Sequence, residues 1–158
     1  MIKVRDGSRI LQFDGQLLAH STSWREGSDR WVEFNLYRTE SGTYILARVG
    51  QSLLYHMPQC KVVGRNALHD QPRSELDSGA KPCEMCRPDQ QPTFPIVCPE
   101  RPRYHAQVCD GAESVLDSLH RYDAAGSRYL TLVAARLLDD ASEKDQYISD
   151  SYRIETIT

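Results

Sequence analysis

Two short pairs of Cys and His residues, far apart in a proline-rich stretch, most limit how this 158-residue chain can fold. His56 and Cys60 form the first pair, and Cys83 and Cys86 form the second after 22 intervening residues. Most of the chain's eight prolines lie between residues 53 and 99, which disfavours long helices and central strands there. This stretch therefore needs something other than a hydrophobic core to order it.

The spacing of these pairs is typical of a zinc site. Zn²⁺ prefers four nitrogen or sulfur ligands in a tetrahedron, and two short pairs separated by a loop supply them. Pro82 and Pro88 flank the second pair and stiffen its turn. Four of the five cysteines lie between residues 60 and 98, and such clustering in an intracellular chain favours metal over disulfides. We predict one structural Zn²⁺ held by His56, Cys60, Cys83 and Cys86, with a pair of metal-free reduced thiols as the alternative.

Part of the chain resembles a known zinc domain. Residues 79–89 read GAKPCEMCRPD, close to the pattern Gly-aromatic-x-Pro-Cys-x2-Cys-x-Pro of the Ada-like metal-binding domain found in bacterial methylphosphotriester-repair proteins. The resemblance covers about residues 53–89, where Cys60 falls on the second cysteine of the family's Cys-x3-Cys pair and His56 falls on the first. The resemblance implies a zinc site and a link to DNA.

The histidine at the first position changes the expected chemistry. In the resembled family, that first cysteine is the zinc thiolate that attacks the methyl group. A zinc-bound thiolate is a good nucleophile, whereas a zinc-bound imidazole has its lone pair engaged. The resemblance therefore implies that His56 keeps the metal site but removes the methyl acceptor, although Cys60, Cys83 and Cys86 remain thiolates.

Hydrophobic periodicity predicts an α+β fold in a single compact unit, residues 1–158. Residues 1–55 alternate as an antiparallel β-meander, with Val32, Phe34 and Leu36 on one face of a strand. Residues 56–99 form the zinc-binding module, and residues 100–158 are mainly helical. The helices carry apolar stripes that need a partner, so we expect them to pack on the sheet.

Capping signals place the helices. Asp110 and Glu113 resemble a capping box for the first helix, and Ser127 is expected to cap the second. The tail is expected to add a helical turn and a short strand. Its predicted buried residues are Tyr152, Ile154 and Ile157.

Charge and hydropathy narrow the class of protein. The chain has 19 Lys and Arg against 22 Asp and Glu, and the negative excess lies after residue 110. A net charge of −3 argues against a broad, non-specific grip on DNA. No apolar run approaches the length of a membrane span and the chain opens unlike a secretion signal, so we expect a soluble, cytoplasmic protein without a membrane partner.

Nucleic-acid contacts remain an alternative. An aromatic outer face of the sheet could stack bases, with Trp31, Tyr37 and Tyr44 as stackers and Arg48 as a phosphate contact, unless the helices cover that face. Two basic residues next to the predicted zinc ligands offer a second possible contact with nucleic acid. They are Lys61 and Arg87.

Other metal-ligand types have weaker patterns. Cys98, His105 and Cys109 could start a second metal site, but three ligands need a fourth, and ordinary half-buried residues are the favoured interpretation. His69 is the substitute ligand if His56 points away from the metal.

The sequence favours a non-catalytic protein. No phosphate loop, metalloprotease helix or serine-hydrolase elbow is present. We predict a zinc-stabilised regulatory or protein-interaction module with an unidentified protein partner. A nucleic-acid-binding module is the alternative, and a residual alkyl-acceptor repair protein is third.

Overall fold

A computed structural model describes residues 1–62, 67–86 and 94–158. Their contacts group the chain into two compact units. Unit 1 comprises Met1–Ser23, Val32–Val49 and Tyr104–Thr158, and unit 2 comprises Trp24–Trp31 and Gly50–Arg103. The fold is α+β, as predicted.

Five strands lie in the first third of the chain: β1 (Ile2–Asp6), β2 (Arg9–Phe13), β3 (Gly15–Thr22), β4 (Arg30–Thr39) and β5 (Tyr44–Ser52). Strand β10 (Arg103–Cys109) and a hairpin of β11 (Arg121–Tyr122) and β12 (Arg128–Tyr129) come later. Strands β1 and β2 form their own antiparallel pair, and the main sheet has the order β10-β5-β4-β3. Strand β3 runs antiparallel to β4 with a register shift between Leu17 and Ala19.

The pairing differs from a simple meander. The dipeptide at Asp6 and Gly7 makes the β1–β2 turn, with Gly7 at φ +61°, a conformation that favours glycine. That pair stands apart from the main sheet, whose β5 edge is completed by β10 from much later in the chain. Alternating hydrophobicity identifies strands but does not identify their partners, so the sequence analysis did not place β10 in this sheet.

Three helices complete unit 1: α1 (Ala112–Leu119), α2 (Leu132–Ser142) and α3 (Gln146–Arg153). Their apolar faces share one core with strands β3, β4 and β5, which confirms that the C-terminal helices pack on the sheet. The alternation predicted for β4 is confirmed at Phe34 and Leu36, which are buried, with Val32 packed against the core. The core comprises Leu18, Ala19, Phe34, Leu36, Tyr44, Leu46, Cys109, Ala112, Val115, Leu116, Leu119, Ala134, Leu137, Leu138, Ala141 and Ile148.

The helix boundaries differ from the predicted ones. Gly111, not Asp110, is the residue before α1, and its extended backbone carries no side-chain cap. Thr131 caps α2 by accepting a hydrogen bond from the Ala134 N–H at 3.3 Å. Ser127 instead donates its N–H to Asp123 Oδ1 in the β11–β12 turn. Serine and threonine are both good N-caps, so the sequence alone did not distinguish Ser127 from Thr131 as the start of α2.

The C-terminal tail also differs. Residues predicted to form a helical turn and a strand form helix α3 followed by non-repetitive chain. Tyr152 is half-buried, but Ile154 is 64% exposed and Ile157 is 80% exposed, so their predicted burial is wrong. The helical spacing that buries Ile148 ends at Arg153, and the isoleucines beyond it have no core to face.

Tyr44 lies on the core side of β5 and not on an outer face. Its side chain is 2% exposed, and its hydroxyl donates to Asp145 Oδ1 at 3.0 Å. The prediction failed because Tyr44, Ile45, Leu46 and Ala47 are all buried, so this segment has no polar face from which to read its orientation.

Asp145 is the buried charge of unit 1. Its side chain is fully buried and accepts hydrogen bonds from the Arg38 guanidinium at 3.2 Å and from the Ile148 N–H at 3.1 Å, the latter capping α3. Burial, together with the hydrogen bond to Asp145, raises the pKa of Tyr44 to about 12. One carboxylate thus joins β4, β5 and α3.

Replacing Asp145 tests this junction. Asp145→Ala leaves the Tyr44 hydroxyl and the Arg38 charge without their partner and removes the α3 cap, so we expect a loss of about 2–4 kcal/mol in the free energy of unfolding. Asp140→Ala, at an exposed α2 position, is the control and should change it by less than about 0.5 kcal/mol. Urea denaturation followed by circular dichroism measures both, and equal effects would contradict the assignment.

Unit 2 is built on a sheet of short strands with the order β7-β9-β6-β8. Strand β6 runs parallel to β8 and antiparallel to β9, with His56 opposite Cys98. No described helix of the chain is long and apolar enough to cross a membrane. The strands are β6 (Leu54–His56), β7 (Gln71–Pro72), β8 (Lys81–Pro82) and β9 (Ile96–Pro99), with 3₁₀ turns at Arg73–Glu75 and Glu84–Cys86.

Candidate metal centre

The first ligand pair lies where strand β6 ends. His56 is the last residue of that strand and is 1% exposed. The chain then reverses in a turn closed by the Cys60 N–H, which donates to the Met57 carbonyl at 3.0 Å. Pro58 occupies the second position of this turn, where its fixed φ is favourable. The turn brings Cys60 back beside His56, and Cys60 Sγ lies 3.6 Å from His56 Nδ1.

The second pair follows strand β8. The Cys83 N–H donates to the Tyr55 carbonyl at 2.9 Å, which fixes the start of the pair against β6. The Cys86 N–H donates to the Cys83 carbonyl at 3.0 Å and closes a 3₁₀ turn. This turn places the two sulfur atoms 3.3 Å apart. The parallel pairing of β6 with β8 therefore brings together two halves of the site that are separated in sequence.

The four side chains converge as predicted. Cys60 Sγ lies 3.7 Å from Cys83 Sγ, and the ligand atoms of His56, Cys60, Cys83 and Cys86 all lie within 4.8 Å of one another. A tetrahedral ion with metal–sulfur bonds near 2.3 Å separates two sulfurs by about 3.8 Å and a sulfur from a nitrogen by about 3.5 Å. The Cys60–Cys83 and Cys60–His56 separations are close to these values, whereas the sulfurs of Cys83 and Cys86 lie about 0.5 Å closer than they would around an ion. The cluster could hold a metal ion after a small adjustment of this last pair.

Burial gives the thiols unequal surroundings. Cys86 is 1% exposed and Cys83 is 6% exposed, whereas Cys60 is half-buried. Burial raises the pKa of Cys86 to about 12, and the neighbouring thiols add to the rise, while the Met57 N–H that donates to its sulfur at 3.3 Å opposes it. Without a cation this thiol is protonated and a poor nucleophile, whereas a divalent metal ion stabilises the thiolate.

A carboxylate lies behind the histidine. His56 Nε2 is 3.6 Å from Glu100 Oε2, and this buried nitrogen has no hydrogen-bond partner within the described parts of the chain. Metal-bound histidines commonly present their second ring nitrogen to a carboxylate, which fixes the tautomer and increases ligand basicity. The arrangement therefore assigns Nδ1 to the metal side of the ring and Nε2 to the Glu100 side.

Glu100 is itself held in place. Its carboxylate accepts hydrogen bonds from Arg30 Nη2 at 2.8 Å to each oxygen, and from Ser52 Oγ at 2.8 Å. Burial alone would raise the pKa of Glu100, but the hydrogen bonds from Arg30 and Ser52 outweigh it and hold the pKa below its ordinary value. Sequence reasoning missed all three residues because no motif or spacing connects them with the ligand pairs.

The other ligand types do not join a second cluster. Among the described residues, the His56 group is the only set of three or more metal-ligand side chains close enough to share an ion. Cys98 is buried in unit 2, where its thiol contacts the Leu68 carbonyl. Cys109 lies in the core of unit 1, while His105 and His69 are exposed. The substitute role considered for His69 is therefore not needed.

The residues considered for nucleic-acid contact do not form one aromatic surface. Tyr44 is in the core, and the ring of Tyr37 packs edge-on against Phe13 at 5.4 Å between centroids. Trp31 and Arg48 are half-buried and belong to different units. Beside the metal ligands, Lys61 is exposed, and Arg87 lies outside the described residues.

Comparisons of the chain with protein families, with curated proteins and with solved structures found no match. The resemblance to the Ada-like domain therefore stays a prediction that depends on the quoted motif.

Replacing Glu100 tests its support of the histidine. Glu100→Gln keeps the shape of the side chain but removes its charge, so we expect metal affinity to fall by about tenfold or more. Co²⁺ titration followed by the thiolate-to-metal absorbance measures this dissociation constant. Glu75→Gln, at an exposed position of unit 2, is the control. If both variants bind Co²⁺ like the unmodified protein, Glu100 has no part in the site.

Proposed function

We propose that this chain is a non-catalytic regulatory or protein-interaction module stabilised by one structural Zn²⁺. The observation that carries the proposal is the convergence of His56, Cys60, Cys83 and Cys86, whose ligand atoms all lie within 4.8 Å of one another. Four protein ligands complete the coordination of zinc and leave no position for a substrate, whereas catalytic zinc sites keep one open.

The donor set favours zinc over other metals. Three thiols and one imidazole form a soft, four-coordinate set, whereas Mg²⁺ and Ca²⁺ take oxygen ligands in larger numbers. Common iron–sulfur clusters are held by four cysteines. Zinc has no redox chemistry, so a structural zinc ion does not need a site that an electron-transfer partner can reach, and the low exposure of this site is compatible with it.

Unit 2 has a clear use for such an ion. Strands β6 to β9 are two to four residues long, and among the described residues of unit 2 the buried apolar side chains outside the ligand set are few, with Tyr55 and Val97 the largest. Structural zinc contributes about 10–16 kcal/mol of binding free energy, much of which is folding free energy. Unit 1, by contrast, has a core of sixteen buried residues that does not involve the ligands.

Metal content and removal test the proposal. We expect one Zn²⁺ per chain by elemental analysis, and we expect chelation or Cys83→Ser to expose unit 2 to protease while unit 1 keeps its secondary structure. Cys98→Ser, which changes a buried cysteine of unit 2 outside the ligand set, is the control and should retain the metal.

Three results would contradict this proposal. Protein without zinc would remove its basis, and two ions per chain would contradict the single site formed by His56, Cys60, Cys83 and Cys86. Cooperative unfolding of the whole chain on chelation would show that the core of unit 1 depends on the metal as well.

The methyl-acceptor hypothesis has little chemical support at this site. The position of the family's acceptor cysteine is His56, which is 1% exposed. Cys60 is the ligand thiol with the most exposure, while Cys83 and Cys86 are buried. Alkyl transfer therefore ranks below the two binding functions.

DNA binding separates the two binding functions. The chain is acidic overall, and phosphate neutralisation requires clustered Lys and Arg, so we expect dissociation constants no tighter than about 10⁻⁵ M for duplex or single-stranded DNA at physiological salt. Fluorescence anisotropy at several salt concentrations measures this.

Variants identify the surface if DNA does bind tightly. Loss in Lys61→Ala or Arg87→Ala would place the contact beside the metal, and loss in Trp31→Ala would place it on an aromatic surface. Lys144→Ala, at an exposed position of unit 1, is the control. Tight, salt-sensitive binding lost in any of the three test variants would replace the protein-interaction proposal with the nucleic-acid one.

A further inference from the structure

A cavity of about 340 Å³ opens in unit 1, and none of the candidate metal ligands lines it. Its apolar wall consists of core side chains from two strands and a helix: Phe34, Leu46 and Leu119. The volume is at the lower end of the range for small-molecule sites, about 300–1,000 Å³. The cavity is therefore large enough for a compact ligand of roughly one ring.

The polar lining of the cavity is mainly cationic or hydrogen-bonding. Arg48 and Arg121 contribute two guanidinium groups, and His105 contributes an imidazole. Arg121 is exposed on strand β11, so its guanidinium is accessible to a ligand entering from solvent. The remaining polar side chains of the lining are Asp6, Gln107, Ser118 and Thr131.

Asp6 is the one carboxylate in this lining, and it is already engaged. Its Oδ1 accepts a hydrogen bond from the Ala106 N–H at 3.1 Å, and its Oδ2 accepts one from Arg9 at 2.8 Å. These contacts, the Ala106 hydrogen bond first, hold the pKa of Asp6 below its ordinary value. The lining therefore carries two arginines against one carboxylate, and that carboxylate is already paired with Arg9, which lies outside the lining.

The hydroxyl groups complete the polar side. Thr131 Oγ1 accepts the Ala134 N–H as the α2 cap, which leaves its own hydroxyl proton to donate. Ser118 Oγ donates to the Ser114 carbonyl at 2.8 Å and lies 3.9 Å from Cys109 Sγ, which leaves one lone pair on the oxygen to accept from a ligand. An anion can thus accept from Thr131 and the arginines, while a protonated oxygen on the ligand can donate to Ser118.

We propose that this cavity binds a small organic anion, with a carboxylate or phosphate group beside the arginines and a compact apolar body against Phe34, Leu46 and Leu119. The guanidinium fork matches the planar carboxylate and the phosphate face with paired hydrogen bonds. An apolar floor with a few convergent polar groups is typical of ligand sites in proteins. This inference does not depend on the metal, since every lining residue belongs to unit 1.

Four small molecules distinguish the contribution of charge to binding from the contribution of apolar contact. Benzoate and phenyl phosphate carry the anion on a ring, benzyl alcohol has the same ring without charge, and inorganic phosphate has the charge without the ring. We expect one ring-bearing anion to bind at least about tenfold tighter than both benzyl alcohol and inorganic phosphate. Calorimetry and amide chemical-shift mapping on the full chain measure affinity and location, and the tighter of the two anions identifies the preferred group.

Variants locate the contact. Arg121→Gln is expected to weaken binding of the preferred anion by about tenfold. Arg128→Gln, on the other strand of the same hairpin and outside the cavity lining, is the control and should leave affinity unchanged. Ser118→Leu alters an exposed position and should reduce binding of every ring-bearing probe by occupying the cavity.

Several outcomes would overturn the inference. These are no binding of either ring-bearing anion at about 10 mM, equal affinity for benzyl alcohol, and equal affinity for inorganic phosphate. Equal losses in Arg121→Gln and Arg128→Gln, or shift changes confined to residues away from the cavity, would place the binding elsewhere.

Discussion

Three thiols and an imidazole lie close together in unit 2, and this closeness is the physical constraint that sets the chemistry of the site. Sulfur atoms 3.3 and 3.7 Å apart cannot all become thiolates without a cation between them, because like charges in a buried site repel strongly. The backbone nevertheless holds the three cysteines close together through the turn at Cys60, the turn at Cys86 and the hydrogen bond from the Cys83 N–H to the Tyr55 carbonyl. The local sequence thus builds a site whose charged form is stable only with a metal present.

The four ligands could be predicted because a metal site has a local signature. Each pair lies on one turn, and turn geometry depends on nearby residues such as Pro58. Glu100 could not be predicted in this way. Glu100 is placed beside His56 by strand pairing, in which its N–H donates to the Leu54 carbonyl at 2.9 Å. The sequence of a strand does not determine which strand it pairs with.

The same distinction applies to the fold of unit 1. Periodicity predicted the strands, the helices and the packing of one on the other, since a buried face repeats every two or about 3.6 residues. It failed for Tyr44, where both sides of β5 are buried, and for Ser127 and Thr131, where two good capping residues lie close together. These outcomes depend on tertiary neighbours, which local patterns do not encode.

The bond between Tyr44 and Asp145 joins residues 101 positions apart. Contacts of such long sequence separation require a large loop to close before they contribute stability, so they form late and slow folding. During synthesis, strands β4 and β5 leave the ribosome well before α3 exists, and Arg38 and Tyr44 then lack the carboxylate that they will share. The junction of β4, β5 and α3 can therefore form only after α3 has been synthesised.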